Sequence, residues 1–165
     1  MIAVLQRVNN ATVYADGVLS GSISGGLYIL LGVEANDTER DAELLAEKIS
    51  KLRIFSDENG KMNLSVNDVD GEVLVVSNFT LNANYAHGNR PDYFGGAAPK
   101  EAERLYDYFK TVISAKVRKC ESGVFGADMR TEMSTDGPVT IVINLFMLSL
   151  KSHVSCVQPE VLSFG

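Results

Sequence analysis

The sequence predicts an α+β fold: a large, curved, barrel-like β-sheet, mostly antiparallel or mixed, with two main helices packed on it. Three observations point there. Strand-like apolar runs recur along most of the chain. Several are joined by short hairpin signals, of which Asp16-Gly17 is the clearest. Only two stretches carry apolar residues at helical spacing.

Residues 2–8 alternate as a first strand, and Ala11 to Ala15 read as a second. After the Asp16-Gly17 turn, Val18 to Ser24 form a third. Gly25-Gly26 then turns the chain into Leu27 to Val33, whose unbroken apolar run marks a central strand. A helix follows. Asp37 or Thr38 suits its N-cap, Glu39 and Asp41 suit the positive end of its dipole, and Ala42, Leu45, Ile49 and Leu52 make a buried stripe. Arg53-Ile54-Phe55 is a short strand, 57–61 a turn, and Glu72 to Ser77 another central strand. Asn82 to Gly96 is a long loop, and loops of that length are functional or disordered. Pro99 opens the second helix, with Ala102, Leu105, Phe109, Val112 and Ile113 as its stripe. Val117 to Glu121, Met129 to Met133 and 139–145 complete the strands. The predicted domain spans 1–145, and 146–165 form a tail without a clear period.

The chain has 165 residues, 45% hydrophobic and 22% charged, which suits one globular domain with a sizeable core. Its N-terminus is a strand pattern rather than a signal peptide, and its longest apolar stretch is too short to span a bilayer. Cys120 and Cys156 lie far apart without metal-ligand spacing. A cytoplasmic protein with reduced thiols is the expectation, with no membrane partner. The formal charge of −6 argues against nonspecific, salt-driven nucleic-acid binding but leaves room for recognition of one RNA end.

Chemistry is sparse. His87 and His153 are the only histidines and lie in no ligand-spaced cluster, so no catalytic metal and no cofactor are expected. There is no Walker loop, and Gly123-Val124-Phe125-Gly126 is not a dinucleotide fingerprint. No Gly-x-Ser-x-Gly elbow supports a serine triad. Ser77-Asn78-Phe79-Thr80 ends a buried strand; it can line a pocket or simply cap loop backbone. Arg7 interrupts an apolar alternation, either at the surface or as a partly buried cation holding a carbonyl or carboxylate. Gly137-Pro138 stands between two strand patterns. It is either a hairpin turn or a rigid corner presenting carbonyls to a ligand, with a cis bond as one form of the latter.

The chain resembles the D-aminoacyl-tRNA deacylase family from Met1 to about Asn144. The resemblance rests on Leu5-Gln6-Arg7-Val8, Leu31-Gly32-Val33, Lys51 to Phe55, Gly60 to Asn63 and Ser77 to Leu81. It continues through Gly88-Asn89-Arg90-Pro91, Phe125 to Met129 and Asp136-Gly137-Pro138-Val139-Thr140. It implies the fold of that family and hydrolysis of the ester joining a D-amino acid to tRNA, by a carboxylic ester hydrolase. Glycine mischarged on tRNA(Ala) is an expected second substrate. It further implies a homodimer whose pockets each receive Gly137-Pro138 from the partner subunit, as a cis pair that excludes L side chains. Arg7 would hold this corner. Phe125 and Met129 would line the pocket near the terminal adenosine, and Thr140 belongs to the corner motif. Ser77, Asn78, Phe79 and Thr80 would form the catalytic motif. Thr80 could act as nucleophile, or main-chain N–H groups near Phe79 and Thr80 could stabilise the oxyanion while water attacks. Asn78 and Thr135 stand where the family usually has Gln and Asn. These departures motivate an alternative, a noncatalytic tRNA- or nucleic-acid-binding module on the same fold.

Overall fold

The computed structural model describes residues 1–145, so the tail expected at 146–165 lies outside the described residues. Strands β1 (Ile2–Ala15), β2 (Val18–Ile23) and β3 (Gly26–Gly32) lead to helix α1 (Glu39–Ser50). A small ribbon, β4 (Phe55–Ser56) and β5 (Met62–Leu64), precedes β6 (Glu72–Ser77). A 3-10 turn at Phe79–Asn82, helix α2 (Pro99–Ser114), β7 (Cys120–Ser122) and β8 (Met129–Asn144) complete the order.

The two N-terminal strands predicted separately are one. β1 pairs with β3 along residues 2–8 and with β2 along 11–15, while β8 runs antiparallel to nearly its whole length. The polar break at Asn9-Asn10 is a register irregularity, not a turn. Asp16 and Gly17 both have positive φ, as a tight hairpin with a primed turn requires. β3, β6 and β7 are mutually parallel. Parallel neighbours need crossovers of a dozen or more residues, and α1 and α2 lie in those crossovers. The sheet order is β2-β1-β3-β6-β7. The Ser20 hydroxyl donates to the Ser122 carbonyl at 3.0 Å, so β2 meets β7 and the sheet nearly closes into a barrel.

Two cores follow from strand alternation. Leu5, Leu27, Ile29, Leu31, Val73 and Val75 face both helices, whose Leu45, Ile49, Leu105, Phe109 and Ile113 are fully buried. Val8, Val13, Tyr28, Leu74 and Val76 fill the opposite face. β3 and β6 are therefore covered on both sides, which explains their unbroken apolar runs. The Thr38 N–H and hydroxyl both donate to the Asp41 carboxylate, at 2.8 and 2.6 Å, and start α1. Leu105→Ala removes a fully buried side chain. It is expected to lower the unfolding free energy by about 2–5 kcal/mol, measured by urea titration.

Gly26 has no room for a side chain: a Cβ there would lie 1.9 Å from the Glu72 carbonyl oxygen. The Glu72 carboxylate accepts the Ser24 N–H at 2.9 Å and pairs with Arg118 at 2.8 Å and Lys119 at 3.5 Å. The Ser24 N–H first, and the two cations with it, hold its carboxyl below the ordinary glutamate value although burial opposes them. A lowered native value stabilises the fold above the ordinary glutamate range, and that contribution is lost as pH falls through it. Glu72→Gln is therefore expected to flatten the acid limb of the stability curve between about pH 5 and pH 3. Denaturant midpoints measured across that range check it.

Candidate active site

The 77–80 motif is built by the end of β6. Asn78 is the last extended residue, with φ −145° and ψ 94°, and it caps the 3-10 turn that begins at Phe79. Its Oδ1 accepts the Thr80 N–H at 3.0 Å and also the Thr80 hydroxyl. Of the two main-chain donors expected near Phe79 and Thr80, the second is thus spent inside the motif. Phe79 N–H, in the first turn, has no helical acceptor and no hydrogen bond among the described residues. The Thr80 hydroxyl is held by an amide oxygen, which is no base.

Phe79 is 67% exposed and meets the Tyr93 ring edge-to-face at 5.1 Å. Ser77 and Asn78 form a wall shared by two hollows. One is a groove of about 450 Å³ that also includes Gln6, Tyr28, Met129 and Thr131, large enough for a small ligand. The other is a cleft of about 40 Å³ bounded by Phe79, Asn82, Tyr106 and Phe125, space for about one water. Asn82 donates from Nδ2 to the Val33 carbonyl at 2.8 Å, while its buried Oδ1 has no partner among the described residues. The structure therefore brings Ser77, Asn78 and Met129 to the groove and Phe79 and Phe125 to the adjoining cleft.

Gly137-Pro138 is not a hairpin. Val8 pairs with Thr135 and Gln6 with Thr140, so 136–139 bulge from a single strand opposite Arg7 alone. The Gly137-Pro138 peptide bond is cis, and both residues are exposed. Gly137 has φ +127°, and a Cβ there would meet Val139 N at 2.7 Å, so no other residue fits without strain. Arg7, 8% exposed, is a brace beneath the bulge. Its Nη1 donates to the Ile54 carbonyl at 2.7 Å, and its guanidinium lies 5.9 Å from the Phe55 ring centre. Arg7 Nε is 2.7 Å from Asp136 Oδ2, a charge contact rather than an aligned hydrogen bond. Thr140, at the end of the bulge, is exposed beside Gln6.

Within one chain the corner and the 77–80 motif do not meet. Arg7 is level with Leu27, and Leu27 with Val73, four residues short of Ser77. Four residues along the strands and three strands across amount to roughly 20 Å over the sheet. The sequence gives Asp136, Asn82 and Tyr93 no individual role, because the contacts of each are with residues distant in the chain. Among the described residues no three His, Cys, Asp or Glu side chains gather as a metal site. Burial pushes the Cys120 thiol up to about 11, which leaves it a poor nucleophile at neutral pH.

The family model described as D-Tyr-tRNA(Tyr) deacylase matches residues 4–144. A D-aminoacyl-tRNA deacylase of Koribacter versatilis is 53% identical over 144 residues, covering 87% of this chain and 97% of its own. One of Vibrio cholerae is 52% identical over 140 residues, covering 85% and 96%. A solved structure named c-Myc DNA Unwinding Element Binding Protein is 38% identical, with TM-score 0.82, and covers 87% of this chain and 98% of its own. A probable eukaryotic D-amino acid tRNA deacylase shares the fold alone, with TM-score 0.74 at 14% identity over 86% of this chain and 97% of its own. On sequence and architecture together, the chain belongs to the D-Tyr-tRNA(Tyr) deacylase family.

Proposed function

We propose that this protein hydrolyses the ester of D-aminoacyl-tRNA, releasing the D-amino acid and free tRNA. The observation that carries the proposal is the Phe79 N–H, unbonded among the described residues and next in the chain to Ser77 and Asn78, which line a groove of ligand size. Water attacks the ester carbonyl carbon, and the oxyanion accepts the Phe79 N–H. Collapse breaks the bond to the ribose oxygen, which takes the proton from the attacking water, with the neighbouring ribose hydroxyl placing that water. Thr80 supplies no attacking oxygen in this scheme. Thr80→Val is expected to lower kcat less than about tenfold, whereas loss of a nucleophile would end turnover. Single-turnover kinetics separate the two.

Selection against L-amino acids falls to Gly137-Pro138. Their exposure, their Arg7 brace and their distance from the motif of their own chain favour a homodimer in which each corner faces the partner's site. Main-chain carbonyls there collide with an L side chain and leave room for a D side chain or for glycine, including glycine mischarged on tRNA(Ala). The protein then works in the cytoplasm, where charged tRNA is found. Incubation with D-Tyr-tRNA, L-Tyr-tRNA and Gly-tRNA(Ala) tests this: release from the first and third alone is expected. The second reading is a noncatalytic nucleic-acid-binding module. Asn78 and Thr135 motivate it, as does the name of the 38%-identical solved structure. Retained tRNA binding without release from any ester would establish it.

A further inference from the structure

Three large rings stand unusually far out of this surface near the candidate site. Phe94 is 92%, Tyr85 73% and Phe79 67% exposed. Single exposed apolar side chains need no explanation, but three within the short stretch 79–94, which begins at the candidate motif, do. Tyr85 and Phe94 flank a closed loop. Asn84 and Asp92 exchange N–H to carbonyl bonds of 2.8 and 2.9 Å, and Asn84 and Asp92 side chains accept the Ala86 and Phe94 N–H groups. The loop is anchored at its far end, where Ala35 N–H donates to Gly95 O and Ala97 N–H to Val33 O. Its Tyr93 ring touches Phe79. The rings therefore sit on a pinned backbone continuous with the motif. At the loop tip Arg90 is exposed and forms no ion pair among the described residues.

We propose that this loop is a stacking platform for the unpaired 3′-terminal nucleotides of the tRNA, with bases on Tyr85 and Phe94 and a phosphate at Arg90. The chemistry fits single-stranded RNA: aromatic faces accept any base, and one free guanidinium meets the backbone. It also answers the charge of the chain. At −6 the protein cannot rely on a diffuse electrostatic field, so stacking supplies the affinity that long-range attraction does not. The inference rests on the deacylase reading, because it is the ester at Phe79 that brings the RNA end to this loop.

The test uses three D-tyrosyl esters: of adenosine, of the CCA trinucleotide and of whole tRNA. In Tyr85→Ala/Phe94→Ala, KM is expected to rise about tenfold or more on the trinucleotide and on tRNA, with kcat unchanged. On the adenosine ester KM should not move. Tyr85→Phe/Phe94→Tyr, which keeps both rings, should behave as the parent does. An unchanged KM on the trinucleotide overturns the platform. So does an equal rise on the adenosine ester, which would make the loop a support for the site. Dissociation of the alanine variant into monomers, seen by sedimentation, also overturns it, since the surface would then belong to a second copy. If the parent protein cleaves none of the esters, the deacylase reading fails by itself. Binding of the uncharged CCA trinucleotide then decides the platform: the parent should bind it more tightly than the alanine variant, and equal binding sinks the proposal.

Discussion

Phe79→Pro is expected to lower kcat on D-Tyr-tRNA by about 10²–10³-fold, the usual loss when one oxyanion donor is removed. The substitution suits the site. Proline is accepted in the first turn of a helix, where its missing N–H has no intrahelical partner. Asn78 before it already has φ −145° and ψ 94°, an extended conformation that a following proline favours. The fold should therefore survive, which circular dichroism and a thermal melt will report. Because the exchange also deletes the ring that meets Tyr93, Phe79→Ala is the necessary companion. It deletes the ring and keeps the N–H. Alanine should retain most of kcat and lose affinity; proline should lose kcat as well. Equal kcat in the two variants would remove the main-chain donor from the mechanism.

The second large effect concerns Arg7. Arg7→Met keeps an apolar stem of similar length and deletes the guanidinium that joins Ile54, Asp136 and the Phe55 face. Asp136 is about half exposed, so the charge contact itself contributes little after screening. The stranded Ile54 carbonyl matters more, and the loss of stability should be about 1–3 kcal/mol. The functional change should be larger. A bulge of four residues has lost the side chain that sets its position, and displacements near an ångström at a selecting surface shift rates by up to about 10²-fold. The ratio of D-Tyr-tRNA to L-Tyr-tRNA hydrolysis is expected to fall about 10–100-fold, chiefly because the L-ester begins to react. Arg7→Lys should not restore it, since an ammonium cannot reach both partners with a planar fork. Full selectivity in Arg7→Met would detach the brace from the corner's role.

Much of the architecture was legible because its signals are local. The Thr38 cap, the α2 stripe, the Asp16-Gly17 turn and the apolar runs of β3 and β6 are each written within a dozen residues and stand where expected, as does the α1 stripe except for Leu52, which follows the helix end at Ser50 and is only partly buried. The errors are of register. Asn9-Asn10 read as a break, and 129–133 and 139–145 read as two strands, yet each pair belongs to one long strand because β1 and β8 pair through the interruptions. Nothing local encodes that pairing. The strand expected at Val117 to Glu121 begins only at Cys120, since Lys116 N–H closes a turn onto Ile113 and Arg118 turns to Glu72. The site was legible in the same proportion. The motif at 77–80 and the corner at 137–138 are contiguous and so stand out as candidates in the sequence. Asp136 beneath the corner, Tyr93 against Phe79 and Asn82 in the cleft depend on the folded chain. So does the direction of the Asn78 amide, which turns on Thr80 and leaves the Phe79 N–H unbonded among the described residues.

The central claim is that a corner from one subunit inspects the amino acid held by the other. A crystal structure with a non-hydrolysable D-tyrosyl amide of 3′-amino-adenosine tests it most directly. The account predicts two copies related by a twofold axis, with the ligand beside Ser77 to Thr80 of one copy. The carbonyl of Gly137 or Pro138 from the other copy should lie about 3 Å from the ligand's amino group. A ligand enclosed by one chain alone, with Gly137-Pro138 facing solvent in both copies, would contradict it.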